Sequence, residues 1–421
     1  MLKRISPSQV EMGMFVHKLE GSWLKHPFWK TKFVLDDNGT LQDLREADID
    51  GVVIDISKGR DVAAPPAARS APRGAQSAPV QQRRRFVAPS APAQFDLTST
   101  APQSTAREFG HAGKVAERGR KAVGKAFLQA RLGKTIKAEA VEPIIADIFA
   151  SVQRNPHAFN GLMRCKQDHE YLYRHALACA ALMVSLGREL KLSPGQIREA
   201  GMAGLLFDVG INHLPIDLDA LGGDHRNLPL SVFAAHTRLG SDFLLASGMP
   251  AAVAEAALHH HERNDGSGYP DRRIGGDIPL LCRMAAVCDA YDDLASAGNN
   301  GQAVDPGAVI GAMAAMPGKF DPAVFAAFVR CMGSFPIGTI VELKSQRLAM
   351  VVDQDGNDYA KPTVRTFFSL ASGEQVRSET IDLANCFGQD EILGLADLGR
   401  FEPEEVLELR QRMMLTVAKG K

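Results

Sequence analysis

Residues 259–270 read HHHERNDGSGYP, three successive histidines and a glutamate running into a turn rich in Gly and Pro. Imidazoles are rarely crowded together without a purpose, and one such purpose is to hold a metal. Further ligand types recur upstream and downstream: His175 in YLYRHALACAALM, Asp208 in GLLFDVGINHLP, His236 in AAHTRLGSDFLL and Asp289 in CDAYDDLAS. With His260 and His261 they make a set of imidazoles and carboxylates that suits iron, manganese, zinc or nickel without any thiolate. His259 is expected to face solvent, because three adjacent residues on a helix cannot all face one metal. Singly, each has a plainer reading. His236 alone reads as a hydrogen-bonded interior histidine, and Asp208 alone as an acceptor at a helix end. Six in series change that balance.

Each candidate sits on a separate helical segment or at its end, and a helix bundle can converge such side chains on one interior point. Residues 105–333 carry Ala, Leu and Met at spacings of three and four, with caps such as Ser193-Pro194, and read as a helical domain. Its leading stretch, 107–151, is basic and is expected to be helical and broken near Pro143. Residues 1–60 alternate short apolar runs with Gly and Asn-Gly turns, the pattern of a small β-rich (α+β) domain. Residues 61–104, rich in Ala, Pro and Ser, read as a flexible linker, its Arg83-Arg84-Arg85 most simply solvated. Residues 334–421 read as a β-rich extension ending in a helix that begins at EPEEVLELRQRM. The fold class expected is mainly α.

Composition narrows the classes. A chain of 421 residues implies two or three domains; 45% hydrophobic and 23% charged residues fit a globular protein. A formal charge of −1 gives no reason to expect a nucleic-acid polymer or a membrane as partner. The N-terminus MLKRISPSQVEMGMF lacks the apolar run of a signal peptide. Six cysteines without a close CxxC pair read as reduced core thiols, as in a bacterial cytoplasm.

The order His175, Asp208 in LLFDVGI, His236, HHERNDGSGYP and Asp289 in CDAYDDLAS resembles the HD-GYP branch of the HD phosphohydrolase superfamily. The N-terminal stretch from GMFVHKLEGSWLKHPF to VVIDISKG is similar to the small uncharacterised domain that often precedes HD-GYP domains in bacteria. The resemblance implies a cytoplasmic signalling protein with a two- or three-metal site, often iron or manganese, that hydrolyses cyclic di-GMP to pGpG or GMP. It also implies metal ligation by His175, Asp208, His236, His260, His261 and Asp289, with Asp208 bridging and central to catalysis. In the family the loop carrying Gly268, Tyr269 and Pro270 also meets protein partners such as diguanylate cyclase domains. A homodimer is compatible with the sequence.

The chain departs from the family pattern in three places. The family has His-Asp and, a few residues on, Lys; here Phe207-Asp208 is followed by Asn212. Phenylalanine has no lone pair, so the metal expected on His175, Asp208 and Asp289 lacks a ligand, while Asp208, His236, His260 and His261 complete the other. One bound metal is therefore a live expectation. His213 is expected to point away, residues on a helix being rotated by about 100° from their neighbours. The basic stretch that usually follows the last aspartate is replaced by YDDLASAGNNGQAVDP, without Arg or Lys. Asn212, Arg273 and Arg283 remain as substrate-binding candidates. The favoured expectation is an HD-GYP signalling protein with impaired or lost hydrolysis. An active phosphodiesterase and a purely structural helical scaffold are the alternatives.

Overall fold

The computed structural model describes residues 2–20, 33–35, 41, 45, 51–60, 101–165, 171–216, 228–296, 304–354 and 358–418. Most of the expected linker (61–100), and residues 297–303 of the segment without Arg or Lys, lie outside the described residues. The chain divides into two compact units, Met1–Thr98 and Ser99–Lys421.

In the first unit the alternating runs form an antiparallel sheet of β1 (Leu2–Ile5), β2 (Phe15–Glu20), β3 (Phe33–Val34) and β4 (Gly51–Asp55), in the order β1-β4-β2-β3. Ile5, Val16, Val52 and Ile54 face a small core with Val10, Met14 and Leu35. Arg45 closes it by donating to the Val10 carbonyl at 2.7 Å.

The second unit is a helical bundle with a sheet on one side. Helices α1 (Thr105–Arg131) and α2 (Ala138–Arg154) lead into α3 (Ala158–Cys165), α4 (Tyr171–Glu189) and α5 (Pro194–Leu206). The break expected near Pro143 falls earlier, at Leu132–Lys137, and Pro143 lies inside α2. Gly133 explains the shift: at φ +65° it takes the left-handed conformation that ends a helix, and its N–H reaches back to the Ala130 carbonyl. The cap at Ser193 forms as expected: its hydroxyl accepts from Gln196 N, and the Gln196 side chain returns to Ser193 N.

After α5 come a 3-10 turn (Phe207–His213), α6 (Leu230–Phe233), α7 (Ala235–Ala246), α8 (Ala251–His259), α9 (Leu280–Ser296), α10 (Pro306–Ala314) and α11 (Pro322–Met332). Every residue of α4 from His175 to Gly187 is buried, as befits a helix apolar on all sides. It is the central post, packed on α1, α2, α5, α9 and α11. No described helix is long and apolar enough to cross a membrane.

Residues 340–395 form an antiparallel sheet of β5 (Ile340–Leu343), β6 (Arg347–Asp353), β7 (Thr363–Ser369), β8 (Glu374–Gln375), β9 (Thr380–Asp382) and β10 (Ile392–Leu395). The order is β10-β5-β6-β7-β8, with β9 beside β7, and α12 (Pro403–Ala418) follows. One face buries Ile340, Leu348 and Met350 together with Phe109 of α1 and Met413 of α12. The sheet thus shares a core with the helices.

Candidate metal centre

Local rules of packing bring the candidate ligands together. α4 carries His175 into the interior. α5 tightens at Leu206 into the 3-10 turn, which carries Asp208. A Cβ on Gly210 would lie 1.9 Å from the His236 carbonyl and 2.5 Å from Gly240 N, so only glycine lets this turn lie on the backbone of α7. That contact sets His236 beside Asp208. α8 ends at His259, and His260 caps it in a helical conformation. The chain then leaves the helix, so His260 and His261 can face one point although they are neighbours.

The ligand atoms of Asp208, His236, His260 and His261 all lie within 4.8 Å of one another, as do those of His175, Asp208 and Asp289. Asp208 Oδ1 is 3.4 Å from His236 Nε2 and 3.5 Å from His260 Nε2, while its Oδ2 is 3.3 Å from His175 Nε2. The carboxylate spans two half-sites, one oxygen toward each. On the second side, His175 Nε2 also lies 3.3 Å from Asp289 Oδ1, and Asp289 Oδ2 is 3.4 Å from His261 Nδ1.

Hydrogen bonds fix which ring nitrogens are available. His236 Nδ1 lies 2.6 Å from the Phe233 carbonyl and His260 Nδ1 lies 2.9 Å from the Ala257 carbonyl. A carbonyl only accepts, so each Nδ1 carries a hydrogen and Nε2 is the ring atom turned inward. Those two Nε2 atoms are 3.2 Å apart and share Asp208 Oδ1. Three electron-rich atoms facing one another at this distance require positive charge between them, as protons or as a cation. His261 Nε2 is buried without a hydrogen-bond partner, and burial, then the neighbouring His260 and His236, hold its pKa well below the ordinary histidine value, keeping it neutral. Burial alone would raise the Asp208 carboxyl. Hydrogen bonds from His175, His236 and His260 reverse that and hold it well below the usual carboxylate range. Donor set, tautomers and charge all fit a divalent metal.

On the His175 side the spacing gives an additional partner. Asp292 Oδ2 is 2.8 Å from His175 Nδ1, an acid fixing the far nitrogen of a candidate ligand. Cys179, one turn on from His175, sets its Sγ 3.6 Å from Nε2. Burial pushes its thiol pKa up, so it is a neutral neighbour. Sequence reading had passed over Asp292, Cys179 and Tyr171, which stacks on His175 with centroids 5.4 Å apart. Their spacing of three or four from His175 or Asp289 was the available signal.

Phe207 occupies the heart of the site. Its ring is 1% exposed, stacked on His260 (centroids 4.6 Å, interplanar 16°) and edge-on to His175 at 5.8 Å. It therefore lies between the two half-sites and offers neither a ligand. His213 points elsewhere, packed on Phe243 at 4.7 Å and absent from every ligand group among the described residues.

His259 corrects an expectation. It is 1% exposed rather than solvent-facing, because the loop after α8 folds back over it. Its ring lies 3.7 Å from Glu262 Oε1 and 3.9 Å from Asp271 Oδ2. Glu262, buried, accepts from the backbone N–H of Asp271 at 2.8 Å and of Arg273 at 3.1 Å, stitching the loop shut. Gly268 is required there, since a Cβ would lie 2.4 Å from both Arg263 N and the His261 carbonyl. Tyr269 turns inward onto His261, with centroids 4.7 Å apart, and Pro270 follows it half-buried.

A cavity of about 250 Å³ opens over the centre, with His175, Asp208, His261 and Asp289 at its floor. Asn212, Arg273 and Arg283 are not among its described lining residues. Asn212 donates to the Val209 carbonyl at 3.0 Å, Arg273 pairs with Glu255 at 3.5 Å and Arg283 with Asp321 at 2.6 Å.

Residues 2–141 match a domain of unknown function (DUF3391), and residues 145–324 match an HD domain. The first match runs past the expected boundary at residue 60. Over 417 residues the chain is 38% identical to a cyclic di-GMP phosphodiesterase of Pseudomonas aeruginosa, covering 97% of this chain and 94% of that protein. It is 35% identical over 148 residues to the cyclic di-GMP phosphodiesterase response regulator RpfG of Xanthomonas campestris (34% and 39% of the two chains). A 3'3'-cGAMP-specific phosphodiesterase of Vibrio cholerae is 29% identical over 128 residues, 30% of each chain.

Proposed function

Because the chain belongs to the HD-GYP family of HD-domain proteins, together with the Pseudomonas aeruginosa phosphodiesterase, we propose that it binds cyclic di-GMP at the Asp208 centre and hydrolyses it slowly or not at all. Binding rests on one observation above the rest: Asp208 presents Oδ1 to His236 and His260 and Oδ2 to His175. In this reading Asp208, His236, His260 and His261 hold the better metal, iron or manganese. His175, Asp208 and Asp289 make a weaker second site. When bound, divalent cations supply positive charge for a phosphate and lower the pKa of water.

The protein's own groups do the remaining work. Asp292 orients His175, the Phe233 and Ala257 carbonyls fix the tautomers of His236 and His260, and Tyr269 packs along His261. Slow hydrolysis follows from Phe207 and Asn212. The first leaves the second site one ligand short, and the second supplies no charge near the phosphate. Losing one preorganised electrostatic group costs about 10²- to 10³-fold in rate.

The test is anaerobic incubation of the Mn²⁺- or Fe²⁺-loaded protein with cyclic di-GMP, with products separated by chromatography and binding followed by calorimetry. Binding with little or no pGpG is the expected result. Rapid, complete conversion would sink the impaired-hydrolysis reading and make Phe207 a tolerated variation in a working enzyme. Absence of binding would sink the proposal as a whole.

A further inference from the structure

Away from the metal centre, the second unit holds a larger cavity, of about 610 Å³, between α12 and the β7–β8 hairpin. Six residues of α12 line it: Glu405, Glu408, Leu409, Arg412, Met413 and Thr416. Successive steps of three and one residues mark them as a single stripe of the helix, about three turns and roughly 16 Å long. The helix presents this stripe from a fixed position. Val406 and Met414, on its other side, are buried in the core shared with the sheet. Arg410, also buried, donates to Asp305 Oδ2 at 2.7 Å and to the Gly338 carbonyl at 3.0 Å.

The floor of the cavity is apolar. Phe367, Phe368 and Val376 line it from the hairpin, and Leu409 and Met413 from the helix. Phe401, just before α12, stands edge-on to Phe368 with centroids 5.4 Å apart. Glu405, Glu408 and Arg412 are exposed at the rim, and none of them forms an ion pair with another described residue. An apolar floor inside a charged rim is the make-up of a protein interface, and a groove of this length has the shape that receives a helix. The charges say which helix. Both acids lie in the N-terminal half of the stripe and the base in the C-terminal half, so the stripe complements its own reverse. A two-fold axis between Glu408 and Leu409 sets Glu405 against the partner's Arg412, with Glu408 within a turn of the same arginine. By symmetry Arg412 meets the partner's Glu405. The two Glu405–Arg412 pairs then lie about 10 Å apart along the helices, and Leu409 meets its own copy between them.

We propose that α12 is the two-fold interface of a homodimer, each copy's helix lying antiparallel in the groove of the other. Such an interface is isologous and closes on itself, and helices packed in this way run about 8–10 Å apart. A helix already fixed to its own sheet loses little freedom on pairing, which favours association. The inference stands apart from the reading of the Asp208 centre.

The experiment is sedimentation equilibrium of the full chain across the micromolar range, where a monomer–dimer equilibrium is expected. Arg412→Glu and Glu405→Arg each turn two attractive pairs into two repulsive ones and should raise the dissociation constant by about tenfold or more, with the circular dichroism spectrum unchanged. Combining the two exchanges the charges and should return the constant to within about threefold of the unaltered chain. An equimolar mixture of the two single variants should likewise associate where neither does alone. An unaltered chain that stays monomeric overturns the inference. So does a dimer that neither single variant weakens, since it then forms elsewhere. Weakening by both single variants without rescue by their combination overturns the antiparallel pairing and the inference with it. A monomer that takes up the apolar dye anilinonaphthalene sulfonate, and loses it with Leu409→Gln, gives the groove to a small apolar molecule instead.

Discussion

Replacing Phe207 with histidine should convert a centre that holds one metal tightly into one that holds two. The Phe207 ring lies between His260, at 4.6 Å, and His175, at 5.8 Å, so an imidazole in its place is beside the half-site made by His175, Asp208 and Asp289. Four-ligand protein sites reach apparent binding energies of about 10–16 kcal/mol, roughly 2.5–4 kcal/mol per ligand. One added nitrogen should therefore tighten the second site by about 10²- to 10³-fold. The metal-free variant carries the opposite effect. Exchanging a fully buried phenyl ring for a polar one without a partner destabilises by about 1–3 kcal/mol, a fall in Tm of a few degrees. The assay is metal per chain by mass spectrometry after anaerobic equilibration with micromolar Mn²⁺, alongside melting curves with and without metal. The expected counts are about one for the unaltered chain and about two for Phe207→His, the variant melting lower without metal and regaining that loss with it. A folded variant that still holds one, or an unaltered chain that already holds two equally tightly, would refute the assignment of Phe207 as the missing ligand.

Combining Phe207→His with Asn212→Lys should raise the rate of pGpG formation by at least tenfold; metal uptake without any gain in rate would count against the substrate assignment. Asp292→Asn should loosen metal binding by about 10- to 100-fold, the usual effect of removing the partner of a ligating histidine, and equilibrium dialysis will register it. Metal affinity should rise with pH. Burial opposes a charge on His175, but the Asp208 and Asp289 carboxylates beside its Nε2 outweigh it and hold its pKa well above the ordinary histidine value, so the metal-free ring is protonated near neutrality. A cation must displace that proton, whereas His261, its pKa well below the ordinary value, has none to lose. Release of one proton gives up to about tenfold in affinity per pH unit, and a flat profile in calorimetry between pH 6 and 8 would exclude it. Gly210→Ala should destabilise the second unit by several kcal/mol, since backbone at 1.9 Å cannot yield as a side chain can; an unchanged urea midpoint would contradict the close approach.

Much of this centre was legible from sequence because each candidate ligand lies within or beside a run of helical period, and such runs declare themselves locally. His175, Asp208, His236, His260, His261 and Asp289 stood out by residue type and by an order that resembles the HD-GYP pattern, and the fold brings their ligand atoms together. What escaped depends on distances between segments remote in sequence. Asp292 becomes a partner of His175 only once α9 lies against α4, 117 positions apart in sequence. The burial of His259 depends on a loop that Glu262 ties down through the N–H groups of Asp271 and Arg273, nine and eleven residues on, a closure that no helical or strand period announces. The helix break moved from Pro143 to Gly133 because proline within a helix loses one bond, whereas a glycine at positive φ redirects the chain. The C-terminal strands were visible as strands, but their common core with Phe109 was not, since nothing local in an amphipathic helix names the surface it will cover.

Helix α1 gives the fold a mechanical continuity. At its first residue the Thr105 hydroxyl is hydrogen-bonded to Asp353, at the end of β6. One turn on, Glu108 is clamped by Arg154 at 2.6 Å. At Gly119, near mid-length, a Cβ would come 2.6 Å from Leu177, two residues beyond His175. A rod of 27 residues, about 40 Å long, is thus pinned to the sheet at one end and bears along its side on the helix that carries His175. The strands, though remote from the chemistry, thus share one continuous line of packing with the helix that carries His175.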